Sequence, residues 1–99
     1  MDKAISINNI PVRLPHERWY HITENHDEMA GYFHDVLDAI ENPDYVIAGN
    51  YRSSKAVKNY GKNNWLVVIY KEESVKDGFV ITAYFVSRKP KGRIIWPKK

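Results

Sequence analysis

The sequence predicts an α+β domain in which one main amphipathic helix packs on one face of a roughly four-stranded antiparallel sheet. An apolar stripe at helical spacing is confined to one stretch, residues 29–40. Past Pro43 the chain turns to short β-branched and aromatic runs parted by turn clusters. The 99 residues, 43% hydrophobic and 27% charged, suit one soluble core, so residues 1–99 are read as a single domain.

The first residues, 1–9, read as a flexible or edge arm, and Ile10–Leu14 as a short extended piece that Pro11 and Pro15 hold to an edge. Residues 17–22 fit either a second extended segment or an early helical turn. The main helix is placed from about 26 to 41. Met29, Phe33, Val36, Leu37 and Ile40 form its apolar face, Asn25 with Glu28 its capping pair, and Glu41-Asn42-Pro43 its stop. Strands are expected at 44–49, 55–60, 65–72 and 79–87, with a fifth short one at 93–96. The Gly61-Lys62-Asn63-Asn64 cluster and Lys76-Asp77-Gly78 supply the turns.

Composition removes several functions. Without cysteine there is no disulfide, thiolate metal site or cysteine nucleophile, and no His spacing matches a metal motif, so neither metal nor cofactor is expected. No apolar run approaches a membrane span and the N-terminus does not read as a signal peptide, which makes a cytoplasmic protein the expectation. The net charge of +3 conceals an asymmetry. Residues 1–44 carry nine acids and three bases, net −6; residues 45–99 carry twelve bases and three acids, net +9. A basic C-terminal half ending in Arg88, Lys89, Lys91, Arg93, Lys98 and Lys99 fits either a phosphate-rich partner or a plain solvated tail.

Strand alternation locates candidate chemistry. Phe79, Ile81, Ala83 and Phe85 form a wholly apolar set suited to meeting the helix, which leaves Val80, Thr82, Tyr84 and Val86 on the opposite face. Thr and Tyr are also ordinary strand formers. His21 and His26 lie five apart and share no helix face, whereas His16 and His34 read as surface residues. Most aromatic residues fit the core; Trp19, Tyr60 and Tyr84 are the ones suited to stacking a base.

The order "ERWYHITENHDEM…IENPDYVI…AVKNY…WLVVIYKE…GFVITAYF", from about Arg13 to Trp96, resembles the phage-associated branch of the barnase–EndoU–colicin–RelE nuclease superfamily. His21-Ile22 with His26, Pro43-Asp44, Lys71 and Thr82-Ala83-Tyr84 carry the resemblance; His26-Asp27-Glu28 departs from the family's His-Pro-Glu. The resemblance implies a toxin-like or phage-associated endoribonuclease, independent of metal, whose substrate lies on the exposed sheet face. A ribose 2′-hydroxyl would attack the adjacent phosphate there. His21 would be the principal general acid or base and His26 the second; Arg18 would clamp phosphate, Lys71 neutralise charge, Thr82 orient phosphate, and Tyr84 bind phosphate or stack a base. Arg52, Lys55, Lys58 and Tyr60 are the candidate RNA-tracking residues. An inhibitory partner would hold such an activity in check. The rival readings are a catalytically inactive nucleic-acid- or partner-binding module, and an accessory phage-type protein with no nucleic-acid role.

Overall fold

The computed structural model describes residues 2–98; Met1 and Lys99 lie outside them. Among the described residues the chain forms β1 (Lys3–Ile5), β2 (Pro11–Arg13), α1 (His16–Asn25), a 3-10 turn (Asp27–Met29) and α2 (Phe33–Glu41). There follow β3 (Tyr45–Ala48), a 3-10 turn (Asn50–Arg52), β4 (Ser54–Asn59), β5 (Trp65–Ser74), β6 (Asp77–Val86) and β7 (Ile94–Trp96). All seven strands join one sheet in the order β1-β2-β6-β5-β4-β3-β7. The β2–β6 pair is parallel and the other pairs are antiparallel.

This corrects the expectation of one main helix on a four-stranded antiparallel sheet. The stretch placed in a helix from 26 to 41 is broken. Its first part forms the 3-10 turn, and Gly31 (φ 89°) breaks the path before α2 starts at Phe33. Asn25 does not cap a following helix. It is the last residue of α1, and its side-chain amide donates to the His21 carbonyl at 3.0 Å. Residues 17–22, left open between strand and helix, belong to α1. β2 lies within the extended piece expected at 10–14 and β7 within the short strand expected at 93–96, whereas β1, three residues of the arm, is too short for an alternation pattern to register. The arm 1–9 contributes the edge strand β1, with Ala4 and Ser6 buried. The β5–β6 turn lies at Val75-Lys76, just before the expected Lys76-Asp77-Gly78.

The apolar faces explain the layers. Val36, Ala39 and Ile40 sit at helical spacing on the inner side of α2, over Val46, Ala56, Leu66 and Val68 of the sheet, with Met29 of the 3-10 turn closing the core. In β6 the alternation is broken by a bulge. Thr82 pairs with Ile69 but Val80 pairs with Tyr70, so Ile81 is an extra residue. Val80 therefore joins Ala83 and Phe85 on the helix side, and Phe79, opposite Lys71, falls on the other. The expected apolar set Phe79–Ile81–Ala83–Phe85 is split at this point. Thr82 and Tyr84 still project from the face away from α2.

That second face is partly covered. After β6 the segment 87–93 crosses it towards β7. Tyr45 donates from its hydroxyl to the Pro90 carbonyl, Gly92 packs on Ile47, and Ala48 N–H donates to the Arg93 carbonyl. Tyr45, Ile47 and Val57 are buried beneath this strap. No helix among the described residues is long and apolar enough to cross a membrane.

Gly78 sits where β2, β5 and β6 meet, and a Cβ there would lie 2.7 Å from the Lys71 carbonyl oxygen. Gly78→Ala is expected to lower stability by about 1–3 kcal/mol, read as a reduced urea midpoint with unchanged slope. A second expectation concerns pH. The Asn42 amide and the Lys58 ammonium (3.2 Å away) hold the Asp38 carboxyl below its ordinary 3.8, against the opposing effect of partial burial. A depressed folded value stabilises above the unfolded one and is lost as pH falls through it. The small advantage of wild type over Asp38→Asn in urea midpoint should therefore hold at pH 6 and vanish only as the pH falls below 3.8 and through the depressed folded value.

Candidate functional site

β2 pairs with β6 only at Gly78 and Phe79, so beyond Phe79 the β6 edge has no neighbouring strand. An uncovered strand edge is an aggregation hazard, and here α1 and the 3-10 turn lie along it. α1 begins directly after Pro15, whose extended backbone (ψ 154°) sets the turn-in, and Glu17 lies in the first turn, where the helix dipole favours an acid. Trp19 and Ile22 face the core, with Trp19 edge-on to Phe33 at 5.4 Å. Arg18, His21 and Asn25 recur at spacings of three and four, which places them on one stripe.

That stripe meets the bulge. The Arg18 guanidinium reaches the Ile81 carbonyl at 3.5 Å, a long contact that leaves most of its five N–H groups free. Arg18, His21, Asn25 and Thr82 line one cleft of about 180 Å³. A second cleft, of about 250 Å³, lies on the other side of the same two residues and is lined by Arg13, Glu17, Arg18, His21 and Phe79. Arg18 and His21 thus form the partition between two hollows. Arg13 is itself engaged by Asp77 through paired contacts of 2.7 and 2.9 Å, which hold the Asp77 carboxyl below its ordinary range.

His26 ends α1, its N–H donating to the Ile22 carbonyl, and its ring lies 5.6 Å from that of Tyr84. Its Nδ1 is 3.7 Å from Glu28 Oε2. Burial pushes the Tyr84 phenol above its ordinary value, so near neutrality it is a proton-bearing donor and not a base. Lys71 pairs with Phe79 on the Thr82 face, with its ammonium 3.6 Å from Glu73.

The four residues read as RNA-tracking divide. Lys55 pairs with Ile69, itself opposite Thr82, and shares the Thr82 face. Arg52 is exposed in the turn between β3 and β4. The structure does not bring Lys58 and Tyr60 to the clefts. Lys58 donates to the Asn42 carbonyl on the α2 side, and Tyr60 donates to Asp35 at 2.9 Å while packing on Tyr32 and Phe85. His16 and His34 are exposed on either side of Phe33. Sequence reasoning overlooked Asn25, Glu17 and Arg13 as cleft residues. A helix over 16–25 would have exposed the Arg18–His21–Asn25 stripe, but the prolines and aromatic residues masked it.

The arrangement brings together groups that phosphate chemistry uses: an imidazole, a guanidinium fork and a hydroxyl donor on one cleft, with a second imidazole against a phenol further along β6. Among the described residues no group of three or more His, Asp or Glu side chains is placed to hold a metal ion. Comparison with protein-family models, with curated proteins and with solved structures gives no match to this chain.

Proposed function

We propose that the protein is an endoribonuclease that cleaves RNA by attack of a ribose 2′-hydroxyl on the adjacent phosphate, without a metal ion. One observation carries the reading: His21, Arg18 and Thr82 open onto a single cleft at the edge of the exposed sheet face. The motif resemblance to phage-associated nucleases adds to it.

In this reaction the 2′-oxygen loses its proton as it bonds to phosphorus, and the 5′-oxygen leaves and takes up a proton, giving a 2′,3′-cyclic phosphate. Two proton carriers on opposite sides of one phosphate serve it best. His21 borders Thr82 and His26 lies against Tyr84, two residues further along β6, a step of ~7 Å at the strand rise. A phosphate between them would have His21 as principal acid or base and His26 as its complement. Arg18 would grip the non-bridging oxygens as charge builds, Thr82 and Tyr84 would donate to them, and Lys71 would add positive field from the same face. The setting we propose is cytoplasmic, toxin-like or phage-associated, with an acidic inhibitory protein complementing the basic half.

The test is incubation of purified protein with end-labelled single-stranded RNA in EDTA. Fragments ending in cyclic phosphate are expected. His21→Ala should lower kcat/KM by about 10²-fold or more, the usual contribution of a general acid or base. Wild type that never cleaves, or His21→Ala that cleaves as well as wild type, defeats the proposal; binding without turnover favours the inactive module. Arg18→Lys keeps the charge but loses the planar fork, and about a tenfold fall in kcat/KM is expected, measured with the same substrate.

A further inference from the structure

The strap over residues 87–93 holds Arg88, Lys89, Lys91 and Arg93 and no acid. It lies on the same sheet face as Thr82 and Tyr84, at the end where β6 stops. Two hollows flank it. One, of about 580 Å³, is lined by Asn63, Trp65, Ser87, Arg88, Lys89 and Lys91. The other, of about 480 Å³, lies between Tyr45, Lys89, Lys91 and the prolines Pro90 and Pro97. The Lys89 ammonium rests over both the Tyr45 and Trp65 rings, at 5.6 and 5.9 Å. Arg88, Lys89 and Lys91 are solvent-exposed, and none is held in an ion pair with an acid among the described residues.

We infer that this strap and Trp65 form a second binding site, one that takes single-stranded nucleic acid with a base on the indole and the flanking phosphates on Arg88, Lys89 and Lys91. Cations interleaved with an accessible aromatic ring are what a single strand needs and an acidic peptide does not: the phosphates meet charge and the bases meet a π face. The ammonium over the Trp65 ring marks where a base would lie. Trp65 is half-buried but lines the first of these hollows, and the flexible lysine stem lets Lys89 swing from the indole to a phosphate as a base stacks in its place.

The register connects this site to the histidine cleft. Trp65 pairs with Val86, four residues beyond Thr82 on β6, which is ~13 Å at the strand rise. A strand a few nucleotides long spans both, with Tyr84 between them. The inference rests on the nuclease reading in taking RNA as the natural strand, and it deepens that reading by saying where the substrate extends past the reacting phosphate.

The probe is a fluorescein-labelled 2′-O-methyl oligouridylate of about twelve nucleotides, within the span that single-strand grooves cover. Its blocked 2′-oxygen cannot attack phosphorus, so anisotropy reads binding whether or not the protein is a nuclease. The triple variant Arg88→Gln/Lys89→Gln/Lys91→Gln should bind at least about tenfold more weakly at low salt. Its slope of log affinity against log salt should be smaller by about 2, near 0.7 for each phosphate that no longer meets a cation. An abasic oligomer of equal length should bind wild type more weakly than the uridylate. Unchanged affinity and slope in the triple variant, or equal binding of the abasic oligomer, overturns the inference. So does displacement of the probe by polyglutamate at matched charge, which would assign the surface to an acidic protein. Normal probe binding in a protein that cleaves no RNA strikes the nuclease reading alone.

Discussion

The bare edge of β6 is the constraint that organises the molecule. β2 covers it at Gly78 and Phe79 and then diverges, so the backbone from Val80 onward requires another neighbour. α1 provides one. Because a helix cannot continue a strand ladder, contact is made through side chains, and the Arg18 guanidinium reaching the Ile81 carbonyl is the clearest instance. Ile81 is also the extra residue of the bulge, the place where a strand bends and turns a carbonyl out of register. One irregularity thus does two things: it sends Val80 into the core and leaves Thr82 facing the stripe of Arg18 and His21.

The sheet also separates charge. On the α2 side lie Asp35 and Asp38, with Lys58 drawn to Asp38 and the end of the helix. On the other side lie Lys55, Lys71 and the strap, with Glu73 beside Lys71. The asymmetry between the halves of the sequence becomes an asymmetry between faces. Lys55 of β4 and Lys71 of β5 point outward by alternation, Lys58 points to α2, and the strap adds its own bases where it crosses. A field of this kind attracts polyanions to one face and orients them before any specific contact forms.

Sequence reasoning found the elements whose pattern is long. The four strands that became β3 to β6, the stop at Pro43 and the inner stripe of α2 are all legible, because burial writes a period into α2, β5 and β6, and turn residues bound the shorter β3 and β4. It failed to join the short pieces it read at 10–14 and 93–96 to the sheet, because their partners are distant in sequence: β2 is defined by Gly78 and Phe79, β7 by Val46 and Ile47. It failed on α1 for a different reason. Trp19 and Ile22 are its main core contacts, and two apolar positions do not make a stripe. The bulge left no mark, since Val80 and Ile81 are equally apolar and either could point inward. Thr82 and Tyr84 were placed correctly relative to each other because they lie on one side of that bulge. Lys58 lies three residues from Lys55 on an unbroken strand, so alternation sets the two on opposite faces, and Asp38 and the Asn42 carbonyl take its ammonium on the α2 side.

The dependence of the clefts on the core sets a final constraint. A ten-residue helix is marginal on its own in water, so α1 is held by what it buries rather than by its propensity. Ile22, 2% exposed, is the key that locks it, with Trp19 against Phe33 and with Leu14 and Met29 at either end. His21 and Ile22 are adjacent, so the imidazole's position over the β6 edge is set by the packing of the next side chain. His26 is similarly fixed from behind, through its N–H on the Ile22 carbonyl. Both imidazoles therefore take their bearing from a single buried isoleucine, and the geometry at the edge can be no more rigid than the packing around it.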